Sequence, residues 1–162
     1  MKDQHLIYGE ITIKGIYQFA ELEPKVNNFM DIGSGYGKFP WVMKYFFNYK
    51  NCYGIEIDKE KFKFSIKHFK TFKDDEVVYK YGHFNIYESL IKKMDVIYCN
   101  CVAWPLEMVE ELYEMLENCV FYHNNTSFAF KYINIHSGRV SIDMSWSNGV
   151  DNYYKLNTNT NR

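Results

Sequence analysis

The residues best placed for chemistry form one short run, Asp31-Ile32-Gly33-Ser34-Gly35-Tyr36-Gly37. Glycine accepts φ above zero and carries no side chain, so glycines at alternate positions let a backbone turn press against a ligand. The dinucleotide fingerprint spaces its glycines as G-x-G-x-x-G and rests a pyrophosphate on a helix N-terminus. Here the third glycine comes one residue early and a carboxylate, Asp31, stands ahead of the first. That charge suits a cationic ligand better than a pyrophosphate. A second acid, Glu56, closes the apolar run Cys52-Tyr53-Gly54-Ile55-Glu56, with Asp58 two residues on, where a carboxylate can accept both hydroxyls of a ribose. Two acids around a nucleoside that carries an amino-acid arm fit S-adenosylmethionine.

Such acids must be held at strand ends, and the surrounding pattern supplies the strands. Helical spacing of Ile16, Phe19 and Ala20 predicts a helix over 14–23, stopped by Pro24. Residues 27–32 read as a strand running into the glycine turn, and the aromatic stretch 39–49 as a helix. A second strand covers 52–58. The helix after it turns Phe62, Ile66 and Phe69 inward and its lysines outward. Strands at 77–81, 95–101 and 119–124 follow, with an amphipathic, Glu-rich helix at 105–118 between the last two. Alternation in FAFKYINIHSGRVSIDMSW around Ser137-Gly138-Arg139 predicts a closing β-hairpin. The fold class is therefore α/β: a mostly parallel sheet covered by helices on both faces, with a C-terminal antiparallel hairpin.

Composition sets the outer bounds. With 162 residues, 47% hydrophobic, and 15 Tyr, 13 Phe and 3 Trp against 3 Pro, the chain is expected to build one domain over 1–162. It divides into an N-terminal loop and helix (1–26), a core (27–156) and a frayed tail (157–162). No run reaches the roughly 18 apolar residues of a membrane span, and no signal-peptide core is present, so an intracellular protein with no membrane partner is expected. Cys52, Cys99, Cys101 and Cys119 form no C-x-x-C pair, which predicts no metal site and buried, reduced thiols. With 19 basic against 20 acidic side chains, strong autonomous nucleic-acid binding is not expected.

Six segments, in order, carry a resemblance to a known family. They are Tyr8-Gly9-Glu10, the glycine turn, Tyr53-Gly54-Ile55-Glu56, Gly82-His83-Phe84, the run Asp95 to Trp104 around Asn100, and Ser145-Trp146 followed after six residues by Tyr153-Tyr154. Together they resemble the disruptor-of-telomeric-silencing type of histone lysine methyltransferase, a non-SET enzyme with the seven-strand, class I S-adenosylmethionine-dependent fold. The likeness spans about residues 7–156. His83 stands where that family has an acid beside the adenine, Cys101 where it has a second Asn, and Pro105 where it has Gly. The likeness does not extend to the family's preceding helical region or its basic nucleosome-gripping segment.

The resemblance implies a cofactor site of Tyr8, Gly9, Glu10, Asp31, Gly33, Ser34, Gly35, Gly37, Glu56, His83, Phe84 and Asn100. It implies that Asn100 and Tyr153 flank the point of methyl transfer, with Trp104 and Tyr154 forming a lysine channel. The expected partner is a lysine-bearing protein, a histone or nucleosome above all, in the nucleus if chromatin is the substrate and otherwise in the cytoplasm. Docking on chromatin would then need a local basic patch, a dimer or a partner subunit. Two other readings stand beside it: a methyltransferase for nucleic acid or a small molecule, and a catalytically silent binding subunit of the same fold.

Overall fold

The computed structural model describes residues 9–69, 77–146 and 150–158. Helix α1 (Ile13–Leu22) starts at Thr12, whose hydroxyl accepts the Gly15 N–H at 3.1 Å, the usual service of an N-cap. The first half continues with β1 (Asn28–Ile32), α2 (Lys38–Phe46), β2 (Asn51–Glu56), α3 (Lys59–His68) and β3 (Val78–Tyr81). The second half holds α4 (Glu88–Ile91), β4 (Val96–Cys99), α5 (Leu106–Glu114), β5 (Val120–His123), α6 (Thr126–Lys131), β6 (His136–Asp143) and β7 (Val150–Asn157). A 3-10 turn at Phe84–Tyr87 and the single turn of α4 lie between β3 and β4. Neither has a long enough pattern to be legible in the sequence.

The seven strands form one sheet in the order β3-β2-β1-β4-β5-β7-β6, and only β7 runs against its neighbours. Strand order reverses between β1 and β4, which opens a crevice at their carboxyl ends. Successive residues of a strand point to opposite faces, and both faces are buried. Phe29, Tyr98 and Tyr122 pack on one side with α1 and α2, while Met30, Ile97 and Phe121 pack on the other with α5 and α6. Phe19 of α1 is the hinge of the first cluster, its ring centroid 5.0–5.8 Å from those of Phe29, Phe39, Tyr98 and Tyr122. All four cysteines are free and buried. Among the described residues no helix is long and apolar enough to cross a membrane, and no group of three potential metal ligands occurs.

Two local expectations are corrected. The inward residue of α3 is Ser65, fully buried, whereas Ile66 is 39% exposed. The helix lies so close to the glycine turn that a Cβ on Gly37 would stand 2.6 Å from the Ser65 hydroxyl, which donates to Gly35 O at 3.3 Å. The hairpin is also displaced. β6 passes straight through Ser137-Gly138-Arg139 with a register irregularity between His136 and Gly138, so this glycine marks a bulge rather than a turn. Part of the stretch expected to be strand is α6, capped by the Asn125 side chain accepting the Phe128 N–H at 2.9 Å. The hairpin pairs β6 with β7, and its connection carries Ser145-Trp146.

Candidate cofactor and transfer site

The glycine turn is tied to the end of β2 by its own amides. Gly33, Gly35 and Gly37 take φ of 79°, 56° and 86°. The Gly33 and Ser34 N–H groups donate to Ile55 O (2.8 and 3.0 Å), and the Gly35 N–H donates to Glu56 Oε2 (2.7 Å). The Gly37 N–H donates to Ser34 O. A phosphate cradle needs free N–H groups; these are taken, in accord with a ligand that is not a pyrophosphate. Glu56 accepts the Asp58 N–H through its other oxygen at 2.7 Å. Burial raises its pKa, opposed by those two backbone donors, and each oxygen keeps a lone pair for a hydroxyl. Asp58 is otherwise employed: it caps α3, accepting the Glu60 and Lys61 N–H groups, and these bonds lower its pKa.

Asp31 is the unresolved charge of the site. It is buried at the end of β1, and its Oδ1 has no hydrogen-bond partner, nor does the nearby Ser34 hydroxyl. Burial, then the charges of Glu56 and Glu10, hold its pKa well above the usual carboxylate range. A buried polar atom left unpaired is destabilising, by roughly 1–3 kcal/mol. An ammonium group would satisfy the oxygen and neutralise the cluster. The residues therefore fit the amino-acid arm of S-adenosylmethionine, with Glu56 left to the ribose.

A cleft runs over these acids in two lobes that share Gly33. The larger encloses about 440 Å³ with its open mouth included. Its walls are apolar, Ile32, Ile55, Ile57 and Met108, and Phe84 and Trp104 lie parallel there with centroids 5.6 Å apart and planes 10° from each other. Such a wall suits a flat aromatic base. Trp104, expected in the lysine channel, is thus placed with Phe84. Its loop is held by the Asn125 side chain, which donates to the Cys101 and Trp104 carbonyls, both at 3.0 Å. His83 lines the same lobe, its Nδ1 accepting the Asn85 N–H.

The smaller lobe brings together segments far apart in sequence: Gly9-Glu10, Asp31, Ser34-Gly35 and Asn100. The Asn100 amide donates to Gly9 O at 2.8 Å and accepts from Asn124 Nδ2 at 2.7 Å. Glu10 and Ser145 exchange two hydrogen bonds, Glu10 N–H to Ser145 Oγ (2.9 Å) and Ser145 N–H to Glu10 O (2.8 Å). Trp146 lies on Gly9 so closely that a Cβ there would sit 1.9 Å from its ring. Lys38 pairs with Glu10 at 3.1 Å. Tyr8, the other expected residue of this loop, lies outside the described residues.

Tyr153 is fully buried behind Asn100. Its ring is parallel to that of Tyr98, their hydroxyls are 2.6 Å apart, and Asn124 Nδ2 lies 3.3 Å from its oxygen. Tyr154, next along the strand, points to the opposite face and stacks on His123, away from Tyr153. Asn124 was not singled out by sequence reasoning, although the pair Asn124-Asn125 directly after an apolar strand was the available signal: buried amides need partners.

Residues 3–123 match the family described as histone methylation protein DOT1, a span that takes in the glycine turn, Glu56, His83-Phe84 and Asn100. The chain belongs to the DOT1 family. No curated protein matches it significantly. Solved structures similar to this DOT1-family chain include TrmK of M. capricolum with S-adenosylhomocysteine (13% identity, TM-score 0.63, covering 94% of this chain and 72% of that one). A second is an RNA methyltransferase of Salinibacter ruber with the same compound (18%, 0.65, 93% and 94%). A third is Sp1610 of Streptococcus pneumoniae with S-adenosyl-L-methionine (12%, 0.69, 94% and 75%). At these identities the likeness is one of fold, the class I S-adenosylmethionine-dependent methyltransferase fold, and with the DOT1 family match it makes this chain an S-adenosylmethionine-dependent methyltransferase.

Proposed function

We propose that the protein transfers a methyl group from S-adenosylmethionine to a lysine of a histone or another basic protein. One observation carries the reading: Gly9-Glu10, Asn100 and Ser145-Trp146, three of the segments that resemble the lysine methyltransferases, interlock around the lobe that contains the unpaired Asp31 oxygen. Bound, S-adenosylmethionine supplies an electrophilic methyl on a sulfonium, open to in-line displacement by an uncharged amine. Little covalent chemistry is left to the protein, so alignment and exclusion of water dominate.

In this reading Asp31 holds the ammonium of the amino-acid arm, Glu56 the ribose, and Phe84 with Trp104 and His83 the base. Gly9 and Glu10 close over the arm, with Tyr8 as their expected neighbour. Gly33, Ser34, Gly35 and Gly37 give the close backbone approach. Asn100 stands beside the transfer point with its amide fixed from both sides by Gly9 and Asn124. Tyr153 forms the buried wall behind it, and the dry Tyr98–Tyr153 stack favours the neutral amine by desolvation. Two of the acids of α5 are engaged within the chain, Glu110 with Lys131 and Tyr132 and Glu111 with Asn85, and beyond the helix Glu117 pairs with Lys92.

The test is transfer of labelled methyl to free histones, nucleosomes and tRNA, alongside calorimetry with the cofactor. Asn100→Ala and Gly35→Arg should each lower transfer to histones by at least about a hundredfold, the scale of loss when positioning at a reaction centre fails. Transfer to tRNA alone would replace the lysine reading by the nucleic-acid one, and absence of cofactor binding would leave a silent binding subunit.

A further inference from the structure

Asn124 organises a second carboxylate. Its Oδ1 accepts the Cys101 N–H at 2.7 Å, which fixes the orientation of the amide and turns its two N–H groups toward Asn100 Oδ1 at 2.7 Å and Asp151 Oδ2 at 2.8 Å. Asp151 lies on the first turn of chain in β7. Because β7 runs antiparallel, its beginning lies at the carboxyl end of β5: the register pairs His123 with Tyr154, so Asp151, three residues before Tyr154, lies beyond the last paired residue of β5 and within reach of the Asn124 side chain. That is the edge at which ligands enter an open α/β sheet. The other Asp151 oxygen accepts only the neighbouring Asn152 N–H, at 2.8 Å.

Asp151 also lacks what comparable acids have. Glu10, Glu23, Glu110 and Asp143 each pair with a lysine, whereas among the described residues no lysine or arginine pairs with Asp151. Its surroundings are neutral: the amides of Asn100 and Asn124 and, deeper, the hydroxyls of Tyr98 and Tyr153. A half-buried carboxylate, held by a buried amide and short of a cation, is complementary to an ammonium or guanidinium group. Asp31 is directed at the cofactor lobe on the other side of Asn100, so the two acids are not redundant.

Building on the lysine reading above, we infer that Asp151 captures the substrate side chain in its ammonium form as it enters, before the proton is lost to solvent and the neutral amine moves on to the methyl, and makes the site selective for a cationic side chain over a phosphate-bearing one. It acts in binding and orientation, and a phosphodiester brought to the same place would meet a like charge.

The experiment is a steady-state comparison of wild type, Asp151→Asn and Asp151→Glu with free histones, together with calorimetry using S-adenosylmethionine. Asparagine keeps the shape and can accept the Asn124 bond but turns an NH2 toward the Asn152 N–H that the other oxygen accepted, so Asp151→Glu, which keeps the charge, is the control that separates charge from the lost bond. Asp151→Asn is expected to raise KM for histone by roughly tenfold or more while cofactor affinity stays within about twofold, and Asp151→Glu to recover much of the loss. An unchanged KM in Asp151→Asn, with histone methylation intact, overturns the role of Asp151 and leaves the lysine reading standing. Equal losses of substrate and cofactor binding also overturn it. A wild-type protein that methylates no lysine-bearing protein overturns both.

Discussion

Lowering the pH from 7 to 5 should destabilise the fold by about 2 kcal/mol through one histidine. His123 is fully buried at the end of β5, and its Nε2 lies 2.7 Å from the Nε2 of His136. The outer partners fix the protons: the Asn125 N–H donates to His123 Nδ1, and Tyr132 O accepts from His136 Nδ1. Neutral His123 must therefore carry its proton on Nε2 and donate to His136, so one relay satisfies both rings. A further proton places two N–H groups face to face. Burial, then the neighbouring His136, lowers the His123 pKa from 6.5 to about 3, and burial lowers that of His136. A folded-state pKa below the unfolded one means that the unfolded chain binds more protons, so stability present above pH 6.5 is lost as the pH falls from there toward 3, at about 1.4 kcal/mol per unit. Between pH 7 and 5 this amounts to about 2 kcal/mol, or a fall in Tm of about 4–8 °C for a chain of this size. His123→Phe keeps an aromatic ring and removes the titration, so its Tm should fall less over the same interval, whatever its starting value. Thermal unfolding by circular dichroism at both pH values decides the matter: an equal fall in the variant and the wild type refutes the relay.

Three further outcomes are expected. Gly37→Val combines a β-branched residue at φ 86° with a Cβ 2.6–2.8 Å from Ser65 and should destabilise by at least about 2 kcal/mol; Gly33→Ala, with open space around its Cβ, should stay near 1 kcal/mol, both read by urea unfolding. S-Adenosylmethionine affinity should weaken as the pH falls through the raised pKa of Asp31, because the ammonium needs the ionised carboxylate, and calorimetry should find that Asp31→Asn loses both affinity and pH dependence. Trp104→Ala removes half of the stack with Phe84 and should weaken binding of adenosine, and of the whole cofactor, by about tenfold, the value of an aromatic contact to a base being roughly 1–3 kcal/mol.

The alternation of strands and helices was legible because the central strands are largely apolar on both faces and the glycine cluster 33–37, Pro24 and Pro105 fall between elements. The acids proposed for the cofactor stand out for a related reason: Asp31 and Glu56 are charges at the ends of otherwise apolar runs. What escaped depends on three-dimensional neighbours. Ser65 looks like a break in the hydrophobic face of α3 until the glycine turn is seen against it. Gly138 has the composition of a turn, yet it and Arg139 pair with Lys155 and Tyr154. Phe128 to Lys131 satisfies strand and helix patterns equally, and the Asn125 cap decides between them. Trp104 shares a segment with Asn100 but faces another lobe, because Asn125 curls the intervening chain.

The interlock of Glu10 with Ser145 joins residues 135 positions apart, and it has a consequence for the order of assembly. Closing so long a loop is entropically unfavourable and is offset only when both partners are already anchored. The covering of the smaller lobe should therefore be the last part of the protein to form and the first to open, and a fragment that retains Asp31 and Glu56 but stops before β6 would have a floor with no roof. In such an arrangement the cofactor becomes a staple between the two distant segments. At a hundred times its Kd it would add about 2.7 kcal/mol to the closed state, so occupancy, as much as sequence, sets how long the roof stays on.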